Sequence, residues 1–101
     1  MASYQQMLQQ MQKIQREYQK AQEVLDSSTF DFTANGVVKI TMKGDRSLVS
    51  VEFLDNDVLK EDPEMVADMI KIAYDGVKKE IDEAIEKIES KFNVPGMPGM
   101  F

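Results

Sequence analysis

Residues 28–53, STFDFTANGVVKITMKGDRSLVSVEF, decide the fold, because their apolar side chains recur with a period of two. Phe30 and Phe32 alternate with polar neighbours until Ala34-Asn35-Gly36 supplies a turn. Val38, Ile40 and Met42 alternate with Lys39, Thr41 and Lys43, and Gly44-Asp45 turns the chain again. Val49, Val51 and Phe53 then alternate with Leu48, Ser50 and Glu52. That period marks half-buried strands, so a three-stranded antiparallel meander is expected. The pleat restricts the register. A two-residue loop at Gly44-Asp45 pairs Ile40 with Val49 and Val38 with Val51, which makes one face apolar. A two-residue loop at Asn35-Gly36 would set Phe32 beside Lys39. A three-residue loop, Ala34-Asn35-Gly36 with Gly36 left-handed, pairs Phe32 with Val38 and Phe30 with Ile40 instead, and is the expected one.

On either side the period changes to that of a helix. Residues 3–25 carry Tyr4, Met7, Met11, Ile14, Tyr18, Ala21 and Leu25 in alternating steps of three and four, with Leu8 and Val24 widening the stripe. Ser3 and Gln6 fit a capping box at its start. A seam of this kind suits a core-facing helix, and its narrowness suits contact with another helix. Residues 63–92 form the second helical pattern: Val66, Met69, Ile70, Ala73, Val77, Ile81, Ala84, Ile85, Ile88 and Phe92. Asp62 is placed as its N-cap, Pro63 at its first position and Glu64 in its first turn. Gly76 inside the pattern marks either a close approach or a tolerated weak spot. After Asn93, two Pro-Gly pairs exclude regular secondary structure and leave residues 94–101 as a flexible or docking tail. The fold class is therefore α+β in the order α-β-β-β-α, one domain over residues 1–93.

Lengths add a constraint. A compact domain of this size is roughly 30–35 Å across. The two helices, at 1.5 Å per residue, run about 34 and 45 Å, while six-residue strands span only about 20 Å. So small a sheet leaves apolar stripe uncovered, and a homodimer is the economical way to cover it. The expected interface is Met7, Met11, Ile14 and Tyr18 with Val77, Ile81, Ile85 and Ile88.

The chain has 101 residues, no cysteine and no histidine, which removes zinc fingers, thiol nucleophiles, Ser-His-Asp triads and imidazole bases. At 43% hydrophobic and 30% charged it is a foldable, soluble composition, with no apolar run long enough for a transmembrane span. No signal-peptide pattern opens it, so a cytoplasmic protein without membrane contact is expected. Neither a dinucleotide fingerprint nor a Walker motif occurs. Asp55-Asn56-Asp57 with Glu61 is oxygen-rich but lacks the glycine and ligand spacing of a calcium loop, and Asp55, Asp57, Glu61 and Asp62 surround a helix start. No base, pocket, metal, cofactor or small-molecule substrate is expected, and so no enzyme. The formal charge of −6 is unevenly spread. Residues 54–92 hold six lysines against twelve acids, while residues 1–25 hold three cations against two acids and residues 27–53 are balanced. Glu80, Asp82, Glu83, Glu86 and Glu89 read as a solvated face relieved by Lys78, Lys79, Lys87 and Lys91.

The layout then meets a known family. Met7-Leu8-Gln9-Gln10-Met11-Gln12-Lys13-Ile14-Gln15, Gly36-Val37-Val38-Lys39-Ile40-Thr41-Met42-Lys43-Gly44, Val51-Glu52-Phe53 through Val58-Leu59 and Glu64-Met65, and Pro95-Gly96-Met97-Pro98 follow one another over nearly the whole chain. In order and spacing they resemble the YbaB/EbfC nucleoid-associated proteins of bacteria. The resemblance implies a homodimer with projecting helices that binds double-stranded DNA with weak sequence preference and affects nucleoid organisation or gene expression. Lys13, Arg16 and Lys20, on one face of the first helix, and Lys39, Lys43 and Arg46, on or beside the sheet, are then the candidate phosphate contacts. Taken alone, such charges read as ordinary solubilising ones. The competing expectation is a protein–protein adaptor that grips through its helices and its methionine-rich surface.

Overall fold

The computed structural model describes residues 3–92. Its order is α1 (Tyr4–Ser27), β1 (Thr29–Ala34), β2 (Val38–Lys43), β3 (Leu48–Phe53), α2 (Asn56–Glu61) and α3 (Pro63–Lys91). The strands form one antiparallel sheet in the order β1-β2-β3, so the α+β arrangement is as expected. The Pro/Gly/Met tail of residues 94–101 lies outside the described residues.

Both long helices start where their caps require. The Ser3 hydroxyl accepts from the Gln6 N–H at 3.1 Å and the Gln6 side chain accepts from the Ser3 N–H at 3.2 Å, a complete capping box. The Asp62 carboxylate accepts from the Met65 N–H at 3.1 Å, with Pro63 in the first turn of α3. The short helix α2 was not foreseen. Asp55 caps it by accepting from the N–H groups of Asp57 and Val58, so this carboxylate organises backbone.

Both hairpins differ from the expected register by two residues, and the faces are as expected except at Leu48, which pairs with the buried Met42 and so lies on the core side rather than with Ser50 and Glu52. Phe32 pairs with Ile40 and Phe30 with Met42, because Asn35 and Gly36 both take left-handed φ, 49° and 71°, and the Val37 N–H closes the turn on the Ala34 carbonyl at 2.9 Å. Val37 is then an extra residue before Val38 pairs with Ala34. In the second hairpin Val38 faces Phe53 and Ile40 faces Val51. The loop there is wider than two residues: the Lys43 N–H bonds the Ser47 carbonyl at 2.9 Å, Arg46 takes φ 72°, and Asp45 accepts from the Ser47 N–H and hydroxyl. A register shift beside Met42 absorbs the difference and leaves Val49 exposed. A slip of two preserves each side chain's face, which is why the pattern of alternation could not distinguish the two registers.

The core lies between the sheet and α3. Ala34, Val38, Ile40 and Met42 meet Val66, Met69, Ala73, Val77 and Ile81, with Phe30 and Phe32 at the border. Gly76 is a close approach: a Cβ there would lie 2.5 Å from the Phe32 ring. α3 covers β1 and β2, whereas Leu48, Val51 and Phe53 on β3 stay exposed. α1 lies antiparallel to the far end of α3, with Tyr18 edge-on to Phe92 at 5.7 Å and Leu25 buried near Gly44. Its first half projects beyond Phe92, giving a body of 72 × 21 × 16 Å and a radius of gyration of 19.6 Å. A compact chain of this length would measure about 13 Å.

Candidate nucleic-acid interface

Helix geometry puts the cations of α1 opposite its seam. Lys13, Arg16 and Lys20 are separated by three and four residues, so they line one face, and all three are exposed. None makes an ion pair among the described residues, and Lys43 at the end of β2 is likewise exposed and unpaired. The other two expected cations are engaged. Lys39 lies 4.0 Å from Glu52, its cross-strand partner, and Arg46 is paired with Asp82 on α3. On its outer face the sheet sets Lys39 and Lys43 against Asp31 and Glu52, so it is no cationic surface. The cationic row belongs to the projecting helix.

Two further lysines join that end of the molecule. Between α1 and α3 runs a groove of about 500 Å³ with an apolar lining of Ala21, Val24, Leu25, Ala84, Ile88 and Phe92, to which Glu17, Lys20, Lys87 and Lys91 also contribute. Lys87 and Lys91 read in the sequence as relief for an acidic helix face; only the antiparallel packing of α1 on α3 brings them beside Lys20. Charge of the opposite sign gathers elsewhere on α3. Partial burial, then the nearby charges of Asp31 and Glu83, push the Glu80 carboxyl above its ordinary value. Asp45, in the β2–β3 turn, is held below its own by its hydrogen bonds to Ser47. Among the described residues no three carboxylates are placed to hold a metal ion, and no helix is long and apolar enough to cross a membrane.

The expected interface residues separate into three groups. Val77 and Ile81 have 0% of their surface exposed within the single chain, since they pack under the sheet. Tyr18 is buried against Phe92, and Ile14, Ile85 and Ile88 are half-buried. Met7 and Met11, at 52% and 47%, are open to solvent. Helical spacing shows that residues share a face, not what covers it.

The fold and this surface define an elongated α+β protein with a cationic helical arm. The chain belongs to the YbaB/EbfC DNA-binding family, whose sequence pattern matches residues 1–97. This is a DNA-binding family and not one of enzymes. The chain is 32% identical to a nucleoid-associated protein of Lactococcus lactis subsp. lactis, across 97% of this chain and 99% of that one. It is 34% identical to a nucleoid-associated protein of Enterococcus faecalis, across 98% and 95%. Its fold is similar to the crystal structure of an uncharacterised Helicobacter pylori protein, with a TM-score of 0.70 over 88% of this chain and 95% of that one at 18% identity.

Proposed function

We propose that this protein is a cytoplasmic, nucleoid-associated protein that binds duplex DNA as a homodimer with weak sequence preference. The observation that carries the reading is the unpaired row Lys13, Arg16 and Lys20, exposed on a projecting helix in a chain of a DNA-binding family. Cations of this kind bind phosphates by releasing counterions, and phosphate contacts position a protein without reading bases. Lys43, Lys87 and Lys91 add to the same potential, whereas Arg46 and Lys39 contribute less because each already faces a carboxylate. The acidic stretch around Glu80 and Glu83 turns away from the duplex by repulsion.

Support for a homodimer of the single domain, residues 1–93, comes from β3. The core-side residues of that strand, Leu48, Val51 and Phe53, and the adjoining Leu54 form an apolar face that α3 does not reach. Apolar surface of that extent, next to a folded core, marks an interface. Two copies place two cationic arms on one duplex and raise affinity without new kinds of contact.

The deciding experiment is an electrophoretic mobility shift with random-sequence duplex at two salt concentrations. Six phosphate contacts in a dimer predict a loss of about 10³-fold in affinity between roughly 50 and 200 mM salt. Charge reversal of Lys13, Arg16 and Lys20 to Glu weakens binding at low salt and leaves the dimer intact. Unchanged shifts in that variant would remove the row from the interface.

A further inference from the structure

The groove of about 500 Å³ between α1 and α3 changes character along its length. Tyr18 on α1 meets Phe92 on α3, and the helices run antiparallel from that contact. The groove therefore has an arm end at Phe92 and a sheet end at Ser28, whose carbonyl accepts from the Gly44 N–H. Charge collects toward the arm end. Lys20 lies on one wall and Lys91 on the other, with Lys87 one turn further in, against the single acid Glu17. None of the three lysines makes an ion pair among the described residues. Lys91 is placed by the Phe92 ring, its Nζ 5.5 Å from the ring centroid. Toward the sheet the lining carries no charge, and Val24, Leu25 and Ser28 stand across from Ala84.

The apolar floor distinguishes this groove from a plain phosphate site, since phosphate contacts need cations and make no use of apolar surface. Ala21, Ala84, Ile88 and Phe92 are half-buried and Val24 is 58% exposed, so the floor is open to an occupant. Sites for small ligands are roughly 300–1,000 Å³ in volume, mostly apolar, with a few convergent polar groups. From Lys20 to Ser28 the helical rise is roughly 12 Å, the length of a slender tail. An acidic amphipathic helix suits the groove less well, because its carboxylates would flank the whole length and the sheet end offers them no cation. The complement of one cationic end and one apolar end is a molecule with an anionic head and a single apolar tail.

We propose that this groove binds a free fatty acid, its carboxylate between Lys20 and Lys91 and its acyl chain along Ala21, Val24, Ile88 and Ala84. Lys87 supplies further positive potential beside the head. Lys20 also belongs to the row proposed to contact DNA, so a bound carboxylate neutralises part of that row. That consequence rests on the DNA-binding reading, whereas the binding itself does not.

The test uses the full-length chain without DNA, so its outcome is separate from that of the mobility shifts. Decanoate, kept below micelle-forming concentrations, is titrated and followed by amide NMR shifts. Shifts are expected to centre on residues 20–25 and 84–91, and binding should exceed that of decyltrimethylammonium by about tenfold. Lengthening the acid from octanoate to dodecanoate should tighten binding by up to about fourfold per methylene. Lys20→Glu/Lys87→Glu/Lys91→Glu, a surface variant expected to keep the fold by circular dichroism, should lose the preference for the anion. Ala84→Trp should fill the groove and abolish binding of both amphiphiles there. Equal binding of anion and cation by the unmodified chain would overturn the proposal. So would shifts centred on the exposed side chains of Tyr4–Met11 or β3, or retention by anionic phospholipid vesicles without binding of free decanoate.

Discussion

Gly44 shows how one residue can join three elements. It sits in the β2–β3 turn, its N–H bonds the Ser28 carbonyl at 2.9 Å, and a Cβ would run into the Leu25 carbonyl at the end of α1. Backbone cannot move aside as a side chain can, so Gly44→Ala should cost about 3 kcal/mol and lower Tm by roughly 15 °C, measured by thermal unfolding. Glu80 gives a prediction of opposite sign. Its folded-state pKa lies above its ordinary value, so the charge it carries at neutral pH opposes folding. Glu80→Gln should therefore raise Tm at pH 7. The advantage should shrink as pH falls through the raised pKa and be lost below the ordinary glutamate range, where the carboxyl is protonated in the folded and unfolded chain alike. A constant difference across that range would mean that charge is not the cause. Arg46 was legible only as a cation; that it takes φ 72° and pairs with Asp82, 36 residues away, depends on the hairpin and α3 meeting.

At the scale of elements, local rules carried most of the information. Ser3 with Gln6, and Asp62 with Pro63, marked both helix starts, because a cap is settled within four residues of chain. The cap at Ser3 lies at the tip of the projecting arm, where nothing else in the described structure supports the first turn. Ser3→Ala should thus cost about 1 kcal/mol of local helix stability, seen as faster amide exchange near the start of α1 with little change in global Tm. Strand faces were equally legible from alternation. Their register was not, because Asn35-Gly36 and Gly44-Asp45 each allow loops of two or three residues, and the extra residues Val37 and Val49 leave the ladder locally, the second turning Leu48 to the core side. The helix α2 leaves no mark in the sequence pattern because six residues are too few to show a period.

Across the whole molecule, elongation sets where the charges stand. The arm carries its cations away from the acidic part of α3, so a chain of net charge −6 can still present a positive surface, as the proposed DNA binding requires. In the proposed homodimer, the exposed strand β3 is the place to divide the two copies. Phe53→Asp should yield monomers in sedimentation and reduce DNA affinity by at least tenfold through loss of the second arm, while the fold persists by circular dichroism. Sedimentation of the unmodified chain as a stable monomer at micromolar concentration would instead refute the dimer.

The sequence by itself determined the α-β-β-β-α order, the caps, the faces of the strands and the exclusion of cysteine and histidine chemistry. Each of these rests on residues close together in the chain, or on composition. The candidate cations were legible as well, since Lys13, Arg16 and Lys20 share a helix face by spacing alone. Only the tertiary structure decided which cations stay unpaired, that Lys87 and Lys91 stand beside Lys20, and that Val77 and Ile81 are interior. Those outcomes depend on where α3 lies across the sheet and how far α1 overlaps it, and packing between distant segments leaves no mark in the period of either one.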